Sequence, residues 1–183
     1  MNLKRNLSEK LSEYLEIFPV VVLLGSRQCG KTTLSRMVCE EWDYYDLESG
    51  DDFDLISRDY SFFFREHPAS VIIDEAQVAP ALFKELRGVI DKDRNQKGRY
   101  ILTGSSSPEL KNNISESLAG RVGIIEMGTL KMNERYQKPL SPFYTILNSC
   151  PIKDQLSELK GLECPLSNDQ VMHHFLYGGY PEP

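Results

Sequence analysis

The sequence of 183 residues contains neither a long apolar run nor closely paired cysteines, and both absences disfavour whole classes of protein. No apolar stretch approaches the roughly 20 residues that a membrane-spanning helix needs. Met1–Leu15 carries charges throughout, unlike the apolar core of a signal peptide. The cysteines form no C-x-x-C pair, which disfavours zinc and thioredoxin-like sites. They are Cys29, Cys39, Cys150 and Cys164. We therefore expect a cytoplasmic protein with reduced thiols and no membrane contact.

Basic residues are outnumbered by acidic ones in the first half of the chain, where residues 1–90 carry 10 basic and 16 acidic side chains. The formal net charge is −6, and Glu40–Asp54 has eight acidic residues and no basic one. Non-specific nucleic-acid binding needs a basic surface that displaces counterions, so the net charge does not support it. Lys92–Arg99 contains four basic residues. It is either a solvated loop or a local basic patch, which leaves nucleic acid open as a partner.

Apolar residues follow two different periods along the chain. In residues 1–18 they recur every three to four positions, which predicts an amphipathic helix that ends at Pro19. The predicted strands are Val20–Leu24, Tyr44–Asp46, Ser70–Ile73, Tyr100–Thr103 and Val122–Met127. The helices predicted between them are Thr32–Glu41, 51–66, Leu82–Ile90 and Pro108–Leu118. This alternation predicts an α/β fold with a mainly parallel five-stranded sheet flanked by helices.

The pattern weakens after Met127. Lys138–Pro142 indicates a linker, and short helices are predicted near 153–160 and 168–177. We therefore expect three parts: a leading helix over 1–18, a core over 19–130, and a linker with a small helical segment over 131–183.

The segment Gly25–Thr32, GSRQCGKT, satisfies the pattern G-x-x-x-x-G-K-[ST] between a buried strand and a helix. Backbone N–H groups in such a loop point at phosphate oxygens, and the positive end of the helix reinforces them. In a loop of this kind we expect Lys31 to neutralise β- and γ-phosphate charge and the Thr32 hydroxyl to ligate Mg²⁺. The alternative is a glycine turn with a chance lysine. The predicted nucleotide contacts are Gly25, Ser26, Arg27, Gln28, Cys29, Gly30, Lys31, Thr32 and Thr33.

Two carboxylates follow the apolar strand of residues 70–73. Asp74 is predicted to hold the magnesium ion through a water molecule, and Glu75 to polarise the water that attacks the phosphate. The alternative is a strand end at which two acidic side chains are merely solvated.

Two further features fit a phosphate-cleaving site. Thr103 ends a predicted strand and Ser105 lies two residues beyond it, and either hydroxyl is a candidate sensor of the γ-phosphate or of the attacking water. A helix cap before Pro108 explains the same hydroxyls. Arg121 follows a predicted helix end and is placed to reach a nucleotide held by a neighbouring copy of the chain. A local salt bridge is the alternative for Arg121.

Together these residues resemble the AAA-type ATPase domain of many bacterial and archaeal proteins, in which a domain of unknown function follows. The matching segments are Pro19–Leu23, Gly25, Arg27-Gln28, Gly30–Thr33, Ile73–Gln77 (IDEAQ), Leu102–Ser106 (LTGSS) and Ser117–Arg121 (SLAGR). Ser26 replaces a common proline and Cys29 an aliphatic residue, and neither change removes a phosphate donor.

The resemblance implies a P-loop NTPase fold with strand order 5-1-4-3-2, ATP as ligand, Asp74 on Mg²⁺ and Glu75 as base. Gly178–Pro183 (GGYPEP) resembles the segment at which the family's C-terminal domain begins, so the resemblance also implies a truncated chain.

The leading functional hypothesis is an ATPase whose hydrolysis drives a conformational change. The alternative is a nucleotide-binding switch or interaction module with little or no hydrolysis. A nucleotide kinase is disfavoured because we see no arginine-rich lid segment. The expected partners are ATP and ADP, and another copy of the chain through Arg121. The sequence specifies no protein partner.

Overall fold

The computed structural model describes residues 3–143, 146 and 152–181. The strands are β1 (Val20–Gly25), β2 (Asp43–Asp46), β3 (Val71–Asp74), β4 (Tyr100–Ser105) and β5 (Val122–Met127). The helices of the described part are α1 (Leu7–Ile17), α2 (Lys31–Val38), α3 (Gly50–Ser57), α4 (Tyr60–Glu66), α5 (Pro80–Lys92), α6 (Pro108–Ser117), α7 (Met132–Arg135), α8 (Ile152–Lys160) and α9 (Asn168–Tyr177), with a 3₁₀ turn at Ala76–Val78. None of them has the length and apolar character needed to cross a lipid bilayer.

The sheet is parallel throughout and has the order β2-β3-β4-β1-β5. Read from the other edge this is 5-1-4-3-2, so the predicted fold class and strand order are confirmed. All six residues of β1 are buried, because this strand lies between β4 and β5 and is covered on both faces.

Side chains of β1 alternate between two apolar clusters, one on each face of the sheet. Val20, Val22 and Leu24 belong to the cluster formed with α3 to α6. Val21 and Leu23 belong to the cluster formed with α1 and α2. The apolar run in the sequence is therefore continuous because alternate residues of β1 pack into the clusters on the two faces of the sheet.

The prediction of a single continuous helix over 51–66 was wrong. The structure has two helices, because the Asp59 side chain caps a new one by accepting a hydrogen bond from the Phe62 N–H at 2.9 Å. The helix after the loop is also shorter than predicted. It ends at Val38, where Cys39 leaves helical geometry with φ −126° and ψ 65°.

The chain divides into two compact units, Leu7–Thr129 and the combination of Met1–Asn6 with Leu130–Pro183. The first unit contains the sheet. In the second, the buried Glu134 accepts hydrogen bonds from the backbone N–H of Asn6 at 2.7 Å and of Lys131 at 2.8 Å. Its carboxylate also pairs with Arg5 at 3.2 Å. These contacts join the first residues of the chain to α7, a helix that the sequence pattern missed.

None of the described cysteines forms a disulfide. Cys29 and Cys39 are buried and Cys164 is exposed. Cys150 and the last two residues of the GGYPEP segment lie outside the described residues.

Candidate functional site

The loop between β1 and α2 needs glycine at two positions for two different reasons. A Cβ on Gly25 would overlap the carbonyl oxygen of Met127 and lie 3.0 Å from the Cys29 sulfur. Gly30 has φ 96° and ψ 28°, in the left-handed region that side chains disfavour. These constraints hold the loop close to the sheet and turn it into α2.

Lys31 is the first residue of α2, and only 4% of it is exposed. Its Nζ donates to the carbonyl oxygens of Gly25 at 3.3 Å and Ser26 at 3.0 Å. Within the described ranges no carboxylate lies at ion-pair distance from this ammonium. A buried positive charge bound only to neutral acceptors favours an anionic ligand.

The other loop side chains differ in exposure. Those of Ser26, Arg27, Gln28 and Thr33 are exposed. Arg27 pairs with Glu48 at 2.6 Å on the surface. The next residue of the loop, a cysteine, is buried and its thiol donates to the carbonyl of the last β5 residue at 3.7 Å. Any contact of this cysteine with a nucleotide would therefore come from its backbone.

Asp74 ends β3 and is the centre of a buried hydrogen-bond cluster. Its Oδ2 accepts from the Thr32 hydroxyl at 2.5 Å and from the Tyr44 hydroxyl at 2.9 Å. Its Oδ1 accepts from the Thr103 hydroxyl and from the Glu75 N–H at 3.2 Å. Four donors from β2, β4, α2 and the β3 end thus fix both carboxylate oxygens.

Sequence reasoning missed Tyr44, which was assigned only to a strand. Arg36 lies over its ring at 4.9 Å from the centroid. Burial, with the hydrogen bond to Asp74 as the next cause, raises the pKa of Tyr44 well above its ordinary value. The hydroxyl therefore stays a donor at neutral pH. Its contact depends on the alignment of β2 with β3, so no local pattern could have shown it.

Glu75 leaves β3 in a left-handed conformation with φ 52° and ψ 45°. Its N–H also lies 3.4 Å from the Thr103 hydroxyl. Its Oε2 accepts a hydrogen bond from Nε2 of Gln77 in the following 3₁₀ turn. Gln77 appeared in the sequence only as part of the IDEAQ motif, and its contact with Glu75 was not foreseen.

The two candidate sensor hydroxyls differ in their partners. Thr103 donates to Asp74, whereas the Ser105 Oγ is buried and has no hydrogen-bond partner in the described part of the chain. Ser105 aligns with Gly25 in the sheet, beside the loop. The helix cap is Ser107, which accepts from the first turn of α6 at 3.2 Å. Ser105 is thus not needed as the cap.

Arg121 forms a local ion pair. Its Nε and Nη2 donate to the two carboxylate oxygens of Asp91 on α5, at 2.7 and 3.0 Å, and Nη1 donates to the Ala119 carbonyl at 2.8 Å. This guanidinium holds the pKa of Asp91 below its usual range. The structure thus gives the arginine the local salt bridge that the sequence left as an alternative.

The donor set fits a magnesium ion that is bound together with nucleotide. No cluster of three or more His, Cys, Asp or Glu side chains suited to a metal occurs in the described chain. Thr32 and Asp74 are the oxygen donors that could hold such an ion, since Mg²⁺ is usually held by one or two protein oxygens with phosphates and waters completing the shell.

Comparison with known proteins supports the α/β fold described above. The family described as an AAA domain matches residues 17–136. Two uncharacterized proteins, from Mycobacterium bovis and Mycobacterium tuberculosis, are 37% identical over 133 residues, which is 72% of this chain. The chain spans about 30% of the length of each of these relatives.

Solved structures have the same fold. The Walker-type ATPase of Pyrococcus abyssi matches with a TM-score of 0.57 and 20% identity, over 99% of this chain and 65% of that one. The Holliday junction branch migration motor of Thermotoga maritima matches with a TM-score of 0.50 and 19% identity, over 88% of this chain and 53% of that one. The family match covers well over half of the chain, and this protein therefore belongs to the AAA domain family.

Proposed function

We propose that the protein binds ATP with Mg²⁺ at the loop Gly25–Thr33 and hydrolyses it. One observation carries the proposal: the buried Lys31 ammonium, which has no carboxylate partner among the described residues, lies in the same loop as Thr32, which donates to Asp74. A positive charge and a magnesium ligand set are what a nucleoside triphosphate requires. The P-loop ATPase fold supports the same conclusion.

The residues then have separate roles. Lys31 exchanges its two carbonyl partners for phosphate oxygens. Thr32 and Asp74 hold the magnesium ion, which when bound neutralises charge on the β- and γ-phosphates. Glu75 accepts the proton of the attacking water, with Oε1 as the acceptor because Oε2 is engaged. The Ser105 hydroxyl donates to the γ-phosphate, which would satisfy an atom that now lacks a partner.

The experiment that tests the proposal has two readouts. Calorimetric titration with ATP and Mg²⁺ measures binding, and phosphate release measures turnover. Binding and turnover in the parent, with turnover lost in Glu75→Gln, would support hydrolysis at this site. Absence of ATP binding by the folded parent would refute the proposal.

One observation favours the second candidate, a nucleotide-binding switch with little hydrolysis. Arg121, the arginine expected to serve a neighbouring copy, is held by Asp91 through two hydrogen bonds. Arginine fingers contribute about 10³–10⁵ in rate in related phosphoryl transfers. A chain whose arginine stays in this pair would bind ATP and release it largely unchanged. Assembly of copies that moves Arg121 to a neighbour's nucleotide would restore turnover.

A further inference from the structure

Of the two polar atoms of the Gln77 amide, only one forms a hydrogen bond within the described residues. Its Nε2 donates to Oε2 of Glu75. Its Oε1 is buried and has no partner in the described ranges. Leaving a buried amide oxygen unsatisfied costs free energy. The amide bears this cost as long as its Nε2 donates to the Glu75 carboxylate.

Close packing against β4 restricts the same amide from its other side. A Cβ on Gly104 would lie 2.5 Å from the Gln77 Oε1 and 2.5 Å from Cδ2 of Leu110. Gly104 is the residue between Thr103, which fixes Asp74, and the candidate sensor Ser105. The amide therefore packs where β4 contributes its two site hydroxyls.

Glu75 needs such a restraint because, among the residues that the structure describes, its side chain has no other hydrogen bond. Its backbone N–H is directed at Asp74 and Thr103. Within the described chain, Gln77 is the one side chain that donates to its carboxylate. A base that rotates about its side-chain bonds spends little time within reach of the proton it must accept.

We propose that Gln77 is a positioning residue, which holds the Glu75 carboxylate so that Oε1 faces the attacking water. This inference rests on the proposed ATP hydrolysis and deepens it. It concerns the chemical step and not the binding of ATP, because Gln77 is absent from the loop and from the Asp74 cluster.

The first test separates kcat from ATP affinity. Gln77→Ala should lower kcat by about 10- to 100-fold, the loss that a displaced catalytic group produces, while the KM and the calorimetric Kd for ATP stay at their parental values. Gln77→Glu keeps the size of the side chain but replaces the donor with a second carboxylate that repels Glu75, and kcat should fall similarly. Val78→Ala, in the same 3₁₀ turn and 41% exposed in the parent, is the matched control and should retain the parental kcat.

The second test is a double-mutant cycle with Glu75→Gln. If Gln77 acts through the carboxylate, Gln77→Ala should cause no further loss of turnover in the Glu75→Gln background. A merely structural role would lower turnover by the same factor in both backgrounds and would overturn the inference. So would parental kcat in both Gln77→Ala and Gln77→Glu. Should Gln77→Ala fail to fold, Gln77→Glu carries the same cycle.

Failure of the inference and failure of the proposed function are distinguishable. If Glu75→Gln loses turnover but the Gln77 variants do not, only the positioning role falls. If Glu75→Gln hydrolyses ATP at the parental rate, Glu75 is not the base, and the positioning role falls while ATP hydrolysis by the protein stands. If the folded parent neither binds nor hydrolyses ATP, the proposed function falls.

Discussion

Replacing Lys31 by methionine should lower the affinity for ATP and should leave the stability of the nucleotide-free protein unchanged or higher. Methionine preserves the length of the side chain and its apolar contacts but removes the ammonium. In the structure the ammonium is buried, 4% exposed, and is bound to two backbone carbonyls rather than to a carboxylate. The buried charge therefore lowers the stability of the nucleotide-free protein and raises its affinity for an anionic ligand.

The magnitude for ATP follows from the two contacts that Lys31 exchanges. The Lys31 ammonium is already charged when it binds the two carbonyls, so the exchange gains only the opposite charge of the new acceptors. That gain is about that of one charge-assisted hydrogen bond, roughly 2–3 kcal/mol in total. Since each 1.4 kcal/mol is tenfold, ATP affinity should fall about 30- to 150-fold in Lys31→Met.

Two measurements check this prediction. Calorimetric titration with ATP and Mg²⁺ gives the affinity, and thermal unfolding without nucleotide gives the apo stability, which should be unchanged or higher. Lys84→Met is the matched control, because it makes the same chemical change at an exposed lysine on α5. Parental ATP affinity in Lys31→Met would show that the loop is not the nucleotide site. A clear loss of apo stability would contradict the argument about buried charge.

The remaining predictions concern three other site residues. Glu75→Gln should keep ATP affinity and lose roughly 10²-fold or more in turnover, because the amide cannot accept a proton; single-turnover hydrolysis measures this, and a parental rate would make Glu75 structural. Arg121→Ala should abolish any rise of specific activity with protein concentration, and identical concentration profiles in parent and variant would restrict Arg121 to its pair with Asp91. Tyr44→Phe removes one of the four donors to Asp74 and should raise the Mg²⁺ concentration for half-maximal turnover about tenfold. Titration of turnover with Mg²⁺ measures this, and an unchanged midpoint would show that the other three donors suffice.

Local patterns predicted the elements that carry the site because those elements are defined by short-range chemistry. The apolar run that forms β1 and the glycine-edged loop after it can be found in the sequence without knowledge of any partner. Asp74 was predicted for a similar reason, since it follows directly on a buried strand. The strand order followed from the family resemblance, because periodicity does not specify which strands pair.

The site contacts that were missed depend on distant pairing or on unusual backbone geometry. Tyr44 meets Asp74 across neighbouring strands. For Arg121 a local salt bridge was one of two alternatives, but the sequence did not identify its partner, an aspartate 30 positions away. Gln77 reaches Glu75 because the glutamate has a positive φ of 52°, which neither residue's identity reveals. The break before α4 depends on a single capping aspartate in a stretch that otherwise reads as helix.

The position of Cys29 makes the movement of the loop measurable. The thiol lies behind the loop, on the side of β5, and a reagent in solvent can alkylate it only after the loop has lifted from the sheet. When reclosing is faster than alkylation, the labelling rate reports the population of lifted loops. Burial raises the pKa of Cys39 to about 11, so that thiol is itself a poor nucleophile at neutral pH. With the other three cysteines replaced by serine, the alkylation rate of Cys29 would measure how often the loop opens. The decrease of that rate with bound ligand would measure how far the ligand suppresses opening.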